Sequence, residues 1–137
     1  MKMLRQLFYL SRAAATITQP EIRKILLVAQ RNNRKRDITG CLLYSGKHFA
    51  QVLEGDPAAI AEVLARIDKD ARHNSVVVVI DHEVSTRRFP DWSMGILYKL
   101  DIANRLEALL QSNDSLSKDL ALELMDEVNP DTVMGSL

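Results

Sequence analysis

The sequence predicts an α+β fold of the ferredoxin-like βαββαββ kind: a five-stranded mixed sheet with two helices on one face, followed by two C-terminal helices. Three observations predict it. Short alternating or β-branched runs recur along the first hundred residues. Two stretches of helical period interrupt them, one between the first and second runs and one between the third and fourth. From Asp101 onward the pattern becomes helical only.

Leu4 to Leu10 alternates, with Leu7 and Tyr9 on one face and Phe8 and Leu10 on the other, and predicts strand one. Thr18-Gln19-Pro20-Glu21 has the form of a capping box, with proline in the first turn. Ile22, Ile25, Leu26 and Ala29 then recur at helical spacing, so helix one is expected from about Pro20 to about Asn33. Arg31, Arg34 and Lys35 suit the negative end of its dipole. Thr39 to Tyr44 predicts strand two and His48 to Glu54 strand three, joined by a short turn at Ser45-Gly46-Lys47. Gly55-Asp56-Pro57 stops that strand and opens helix two. Its stripe is Ile60, Val63, Leu64 and Ile67, and it ends near Asp70. The β-branched run Val76 to Ile80 predicts a fourth strand buried on both faces. A polar loop from Thr86 to Asp91 precedes strand five, Trp92 to Leu97. Strands one and three are central neighbours in this plan, which can bring Tyr9 beside Gln51.

Asp101 can cap a helix carrying Ile102, Leu106, Leu109 and Leu110. After a turn at Ser112 to Ser115, Leu120, Leu124, Met125 and Val128 predict a further helix. Two such helices are too short to stand alone, so they are expected on the bare face of the sheet or on a partner. Asn129 to Leu137 reads as a frayed tail. The expected organisation is a sensory unit over residues 1–100 and a helical extension over 101–137 for signal output or oligomerisation.

With 18 basic and 18 acidic residues, the chain has no global field to draw it to nucleic acid. No apolar run approaches the roughly 20 residues of a membrane span, and no signal peptide precedes the first strand. A cytoplasmic protein is expected. Cys41 stands alone, which excludes an intramolecular disulfide. His48, His73 and His82 fall on separate elements without ligand spacing, and no metal is expected. No Walker motif, dinucleotide fingerprint, serine elbow or paired acids are present.

The strongest chemical signal is Phe49-Ala50-Gln51-Val52-Leu53-Glu54-Gly55. Gln51 shares the parity of Phe49 and Leu53, which places a primary amide among core-facing residues. A buried amide without partners costs roughly 1–3 kcal/mol. Tyr9 and the pair Asn32-Asn33 are candidates to sit beside it. A tyrosine, a glutamine and asparagines without a strong acid or base suit a heteroaromatic ligand held by hydrogen bonds. Each has a plainer reading. Tyr9 can be a strand tyrosine with its hydroxyl at the surface, and Gln51 can be satisfied by backbone at a sheet end. The asparagines can be a helix stop, and Arg66 and Asp70 an exposed i,i+4 pair. Trp92 and Met94, on one face of strand five, can be simple core.

Taken in order, several segments resemble the BLUF family, the blue-light sensors that use flavin adenine dinucleotide. They are Phe8-Tyr9-Leu10-Ser11, Arg31-Asn32-Asn33, Ile38-Thr39-Gly40 and Phe49 to Gly55, then Asp70-Ala71-Arg72-His73 and Arg88 to Met94. The resemblance covers roughly Leu4 to Leu97. It implies an FAD chromophore bound non-covalently and no catalytic residue. It implies that Tyr9 gives an electron and then a proton to the excited flavin, and that Gln51 lies between Tyr9 and the flavin. It implies that Asn32, Asn33, Arg66 and Asp70 hold the polar edges of the ring, and that Trp92 and Met94 carry the signal to strand five. Cys41 lacks the signature of a flavin–thiol adduct former. The expectation is a non-enzymatic photoreceptor whose residues 101–137 leave no room for a fused cyclase or phosphodiesterase. Output then passes to a separate protein partner or through a homo-oligomer, with no direct nucleic-acid or membrane contact. The alternatives are a light-independent ligand-binding module of the same fold, including one that holds RNA on its sheet, and an acylphosphatase-like enzyme.

Overall fold

A computed structural model describes residues 3–91, 93–98, 100–111 and 115–127. Thr18 caps the first helix as its sequence predicts. Its hydroxyl accepts from the Glu21 amide at 3.3 Å, and the Glu21 carboxylate accepts from the Thr18 amide at 3.2 Å. Helix α1 (Gln19–Lys35) therefore starts at a fixed point after strand β1 (Leu4–Ala13). Strands β2 (Thr39–Tyr44) and β3 (His48–Gly55) form a hairpin, and Asp56 caps α2 (Pro57–Asp68) through the Ala58 amide. Then follow β4 (His73–Val84), β5 (Gly95–Tyr98), a short 3-10 turn, α3 (Ala103–Gln111) and α4 (Ser115–Glu127).

The sheet order is β4-β1-β3-β2-β5. Neighbours are antiparallel except β2 and β5, which run parallel. This is the ferredoxin-like sheet with one strand added at the β2 edge. Side-chain alternation divides the core into two layers. Leu7, Tyr9, Phe49 and Leu53 pack with Ile22 and Leu26 of α1 and Ile60 of α2. Phe8, Leu10, Ala50 and Val52 pack with Leu106, Leu109, Ala121, Leu124 and Met125 of α3 and α4. Gly40 allows β2 to lie close on β3, because a Cβ there would sit 1.9 Å from the Val52 carbonyl oxygen.

Several expectations are corrected. β4 is an edge strand rather than one buried on both faces: Ile80 is buried, but Val78 is 40% exposed. Its β-branched run packs inward only in part, and the strand extends to twelve residues by pairing along β1. Helix α2 ends at Asp68, so Asp70 lies beyond its cap at Lys69. Strand β5 begins at Gly95, so Met94 precedes it. The C-terminal helices take one of their two expected placements, on the bare sheet face, and so cover the face on which RNA was considered. Leu120, expected on that stripe, is exposed, and Ala121 takes the inward position. Trp92, Val128, most of the expected 112–115 turn and the tail 129–137 lie outside the described residues.

A charged clamp also holds α3. Arg12 and His48 face each other across β1 and β3. Both reach Glu107 of α3, His48 Nε2 at 2.9 Å and Arg12 through paired guanidinium contacts at 3.1 and 2.5 Å. The clamp holds the Glu107 carboxyl down at about 2, through Arg12 first and His48 second. A depressed carboxyl contributes stability above its unfolded value that is lost as pH falls through the folded one. Amide exchange in α3 should therefore be slower in the native chain than in Glu107→Gln at neutral pH. That difference should close between about pH 4.5 and pH 2. A difference that stays constant over this range would show that the clamp does not hold the helix.

Candidate functional site

The register of β1 on β3 sets Tyr9 opposite Gln51, both facing α1 and α2. The Tyr9 hydroxyl donates to Gln51 Oε1 at 2.5 Å. The other end of the same amide, Gln51 Nε2, donates to the Met94 sulfur at 3.3 Å. Tyr9 and Met94 offer Gln51 different partners: a hydroxyl can donate, whereas a thioether sulfur only accepts. The amide orientation is therefore specified by its neighbours. Tyr9 is 3% exposed and Gln51 6%, so the plainer readings of a surface hydroxyl and a sheet-end amide do not apply.

Above this pair, between α1, α2 and the sheet, lies a cavity of about 200 Å³. Its walls are apolar: Ile25, Val28 and Ala29 of α1, Val63 and Ile67 of α2, Leu42 and Phe49 of the sheet. Its polar groups are Tyr9, Gln51, Asn32, Asn33, Arg66 and Asp70, joined by Arg72 and His73. Six positions singled out in the sequence thus converge on one cavity from four elements and the loop after α2. Met94 touches Gln51 without lining the cavity.

The pairing within this group differs from the simplest expectation. Asp70 bonds to Arg72 and not to Arg66. Arg72 Nε reaches Oδ1 at 2.9 Å and its NH2 reaches Oδ2 at 2.5 Å, while the Arg72 amide also donates to Oδ1. The helix ends before Asp70, so the i,i+4 geometry with Arg66 is lost. The Arg72 hydrogen bonds hold the Asp70 carboxyl below its usual range. Burial first, and the Asp70 charge second, push the Tyr9 phenol well above its ordinary value, so Tyr9 keeps its proton and remains a donor. Asn33, inside the last turn of α1, is buried and donates to the Ser93 carbonyl at 3.1 Å.

Sequence reasoning missed His73 and Gln30. His73 Nε2 lies 2.6 Å from the Ile67 carbonyl, which only accepts, so this nitrogen carries a proton. In the neutral ring Nδ1 then accepts from the Ser11 hydroxyl at 2.7 Å. The imidazole is fixed edge-on to Tyr9, with ring centroids 6.3 Å apart. Gln30 donates to the Met94 carbonyl at 2.9 Å. Its signal was present: it occupies a buried stripe with Ile22, Leu26 and Asn33, where an apolar residue suffices for packing.

Glu54 is fully buried and organises the approach to Met94. Its carboxylate accepts from the Arg88 and Phe89 amides and from Gln6. Arg87 adds bonds to Thr39, the Glu54 carbonyl and Asp37. The long β4–β5 connection is thereby anchored to the sheet. Among the described residues no group of three or more His, Cys, Asp or Glu could hold a metal, and no helix is long and apolar enough to cross a membrane.

Cys41 faces the α3/α4 layer, on the opposite side of the sheet from the cavity. Burial pushes its thiol up to about 12. It should resist maleimide at neutral pH in the folded chain and react promptly after denaturation, as read by mass spectrometry. Fast labelling of the native protein would contradict this placement.

Comparison with known proteins points in one direction. A family model described as BLUF, sensors of blue-light using FAD, matches residues 4–95. The blue light- and temperature-regulated antirepressor BluF of Escherichia coli (strain K12) is 33% identical over 107 residues, which are 78% of this chain and 26% of that protein. Subunit beta of the photoactivated adenylate cyclase of Euglena longa is 34% identical over 92 residues, 66% of this chain and 11% of that protein. The chain thus spans about a quarter of the first relative and about a tenth of the second. The dark-state structure of BlrB, a BLUF protein, superposes with a TM-score of 0.71 at 32% identity, covering 92% of this chain and 98% of that one.

Proposed function

This chain belongs to the BLUF family of blue-light sensors using FAD, and we propose that it signals by rearranging the hydrogen bonds of Gln51. The observation that carries this reading is the Tyr9–Gln51–Met94 chain, which runs from the cavity floor at Tyr9 and Gln51 to Met94 outside it. When bound, FAD supplies the absorption of blue light and a ring able to accept an electron and a proton. The lining fits such a ring: apolar walls for its faces, and amides, a guanidinium and a carboxylate for its edges. At about 200 Å³ the cavity falls below the 300–1,000 Å³ of a whole drug-sized ligand. That suits a flat ring with the rest of the dinucleotide outside.

In this reading Asn32, Asn33, Arg66 and Asp70 hold the cofactor, with Arg72 keeping Asp70 charged. Tyr9 is the oxidisable donor, and its proton is held on the hydroxyl toward Gln51 until light is absorbed. Gln51 is the switch. Rotation or tautomerisation of its amide exchanges donor and acceptor ends without changing net charge. After rotation its carbonyl oxygen faces the Met94 sulfur, which has no proton to give, so that contact is released. Met94 immediately precedes β5, so the change reaches the edge strand and, through the sheet, residues 101–137 as the output segment. Trp92 is proposed to act beside Met94. The 137 residues carry no catalytic role in this account. Output goes to a separate protein or through self-association, in a cytoplasmic setting.

Gln51→Leu should retain flavin and lose the light-induced red shift, and Tyr9→Phe should bind flavin without forming the usual signalling state. Difference absorption spectroscopy of the two variants checks both. A normal shift in Gln51→Leu would remove the glutamine from the mechanism.

A further inference from the structure

We propose that Gln30 is a positioning residue for the light response, acting through the main chain of Met94; this rests on the function proposed above. Met94 is held at two ends by two glutamines. Its sulfur accepts from Gln51 at 3.3 Å and its carbonyl from Gln30 at 2.9 Å. Gln30 is 2% exposed and does not line the cavity, so it has no role in holding a ligand there. It lies one turn from Asn33 on the buried face of α1, and the two amides grip the consecutive carbonyls of Met94 and Ser93.

The position of these carbonyls explains why such a grip is required. β5 has four residues and one neighbour, β2. Its ladder with β2 begins at Gly95, so Met94 lies just outside the strand pairing. The anchors at Glu54 and Arg87 act on the connection several residues upstream. Gln30 and Asn33 act on the two residues that enter the strand. With its main chain fixed, the Met94 sulfur stays within reach of Gln51 Nε2. That contact favours the orientation in which Gln51 Oε1 faces the Tyr9 hydroxyl. The Nε2–sulfur contact re-forms as the amide turns back over its barrier, so removing the Gln30 donor loosens Met94 and slows the return to this orientation after illumination.

The test is a double-mutant cycle read by dark-recovery kinetics on the flavin-loaded full chain. Gln30→Met keeps the side-chain length and removes the donor. It should retain flavin and the red shift while slowing recovery about three- to tenfold, the range expected for one hydrogen bond. Met94→Leu removes the sulfur acceptor at similar volume. In that background Gln30→Met should change recovery by less than about twofold, because the contact it supports is already gone. Unchanged recovery in Gln30→Met, or effects that multiply independently in the double variant, would overturn the proposal. Should Gln30→Met lose flavin, Gln30→Asn, whose amide falls one methylene short of the carbonyl, repeats the comparison. Loss of flavin from both would assign Gln30 to maintenance of the fold and overturn the proposal as well. Absence of any red shift in the unsubstituted protein would instead overturn the photoreceptor mechanism itself.

Discussion

The antiparallel pairing of β1 with β3 governs the rest of the molecule. It aligns Tyr9 with Gln51 on one face and sets Arg12 opposite His48, so that both reach Glu107 on the other face. Side chains alternate with a period of two, so a slip of one residue on either strand would exchange the faces. The hydroxyl–amide bond and the clamp on α3 would fail together. The register is held by the apolar alternation of both strands, because each face is buried under a pair of helices. The flanking strands β4 and β2 place both partners at the centre of the sheet.

Burial on both faces gives the site its character. Tyr9 and Gln51 are buried on the cavity side, so the hydrogen bond between them is strengthened and an unmatched group there is costly. Polar groups near this layer are accordingly partnered: Ser11 with His73, Asn33 with Ser93, and Gln30 with Met94. The opposite side places α3 and α4 directly beneath the strands that carry the site, with Ala50 and Val52 flanking Gln51 and packed in their core. A change at Gln51 therefore has two neighbours through which to act. One is the entry to β5, and the other is the sheet beneath the helices.

Much of this was legible in the sequence because it followed local rules. The capping box at Thr18, the hairpin at Gly46 and the alternation of Leu7 to Leu10 each imply their geometry directly. The strand order brought Tyr9 beside Gln51, whereas Asn32, Asn33, Arg66 and Asp70 were pointed to by the family resemblance and not by local pattern. What was not legible depended on tertiary neighbours. The valines of β4 read as doubly buried, because a β-branched run carries no mark of being at an edge. The plainer reading of Arg66 and Asp70 as a helical pair does not hold, because α2 ends at Asp68 and Asp70 bonds to Arg72. Leu120 read as core on spacing, but Ala121 is the residue that packs inward with Leu124 and Met125. Gln30 was passed over although a polar residue on an apolar stripe is itself a signal, of the same kind that drew attention to Gln51.

The central claim is that the buried Tyr9–Gln51–Met94 chain begins at the floor of a light-sensitive flavin site. The most direct measurement is the visible absorption spectrum of the purified protein, taken in the dark, under blue light, and again in the dark. The account predicts a flavin spectrum that shifts slightly to the red without bleaching and returns thermally. A protein that stays colourless after reconstitution with FAD, or a bound flavin whose spectrum does not shift, would contradict it.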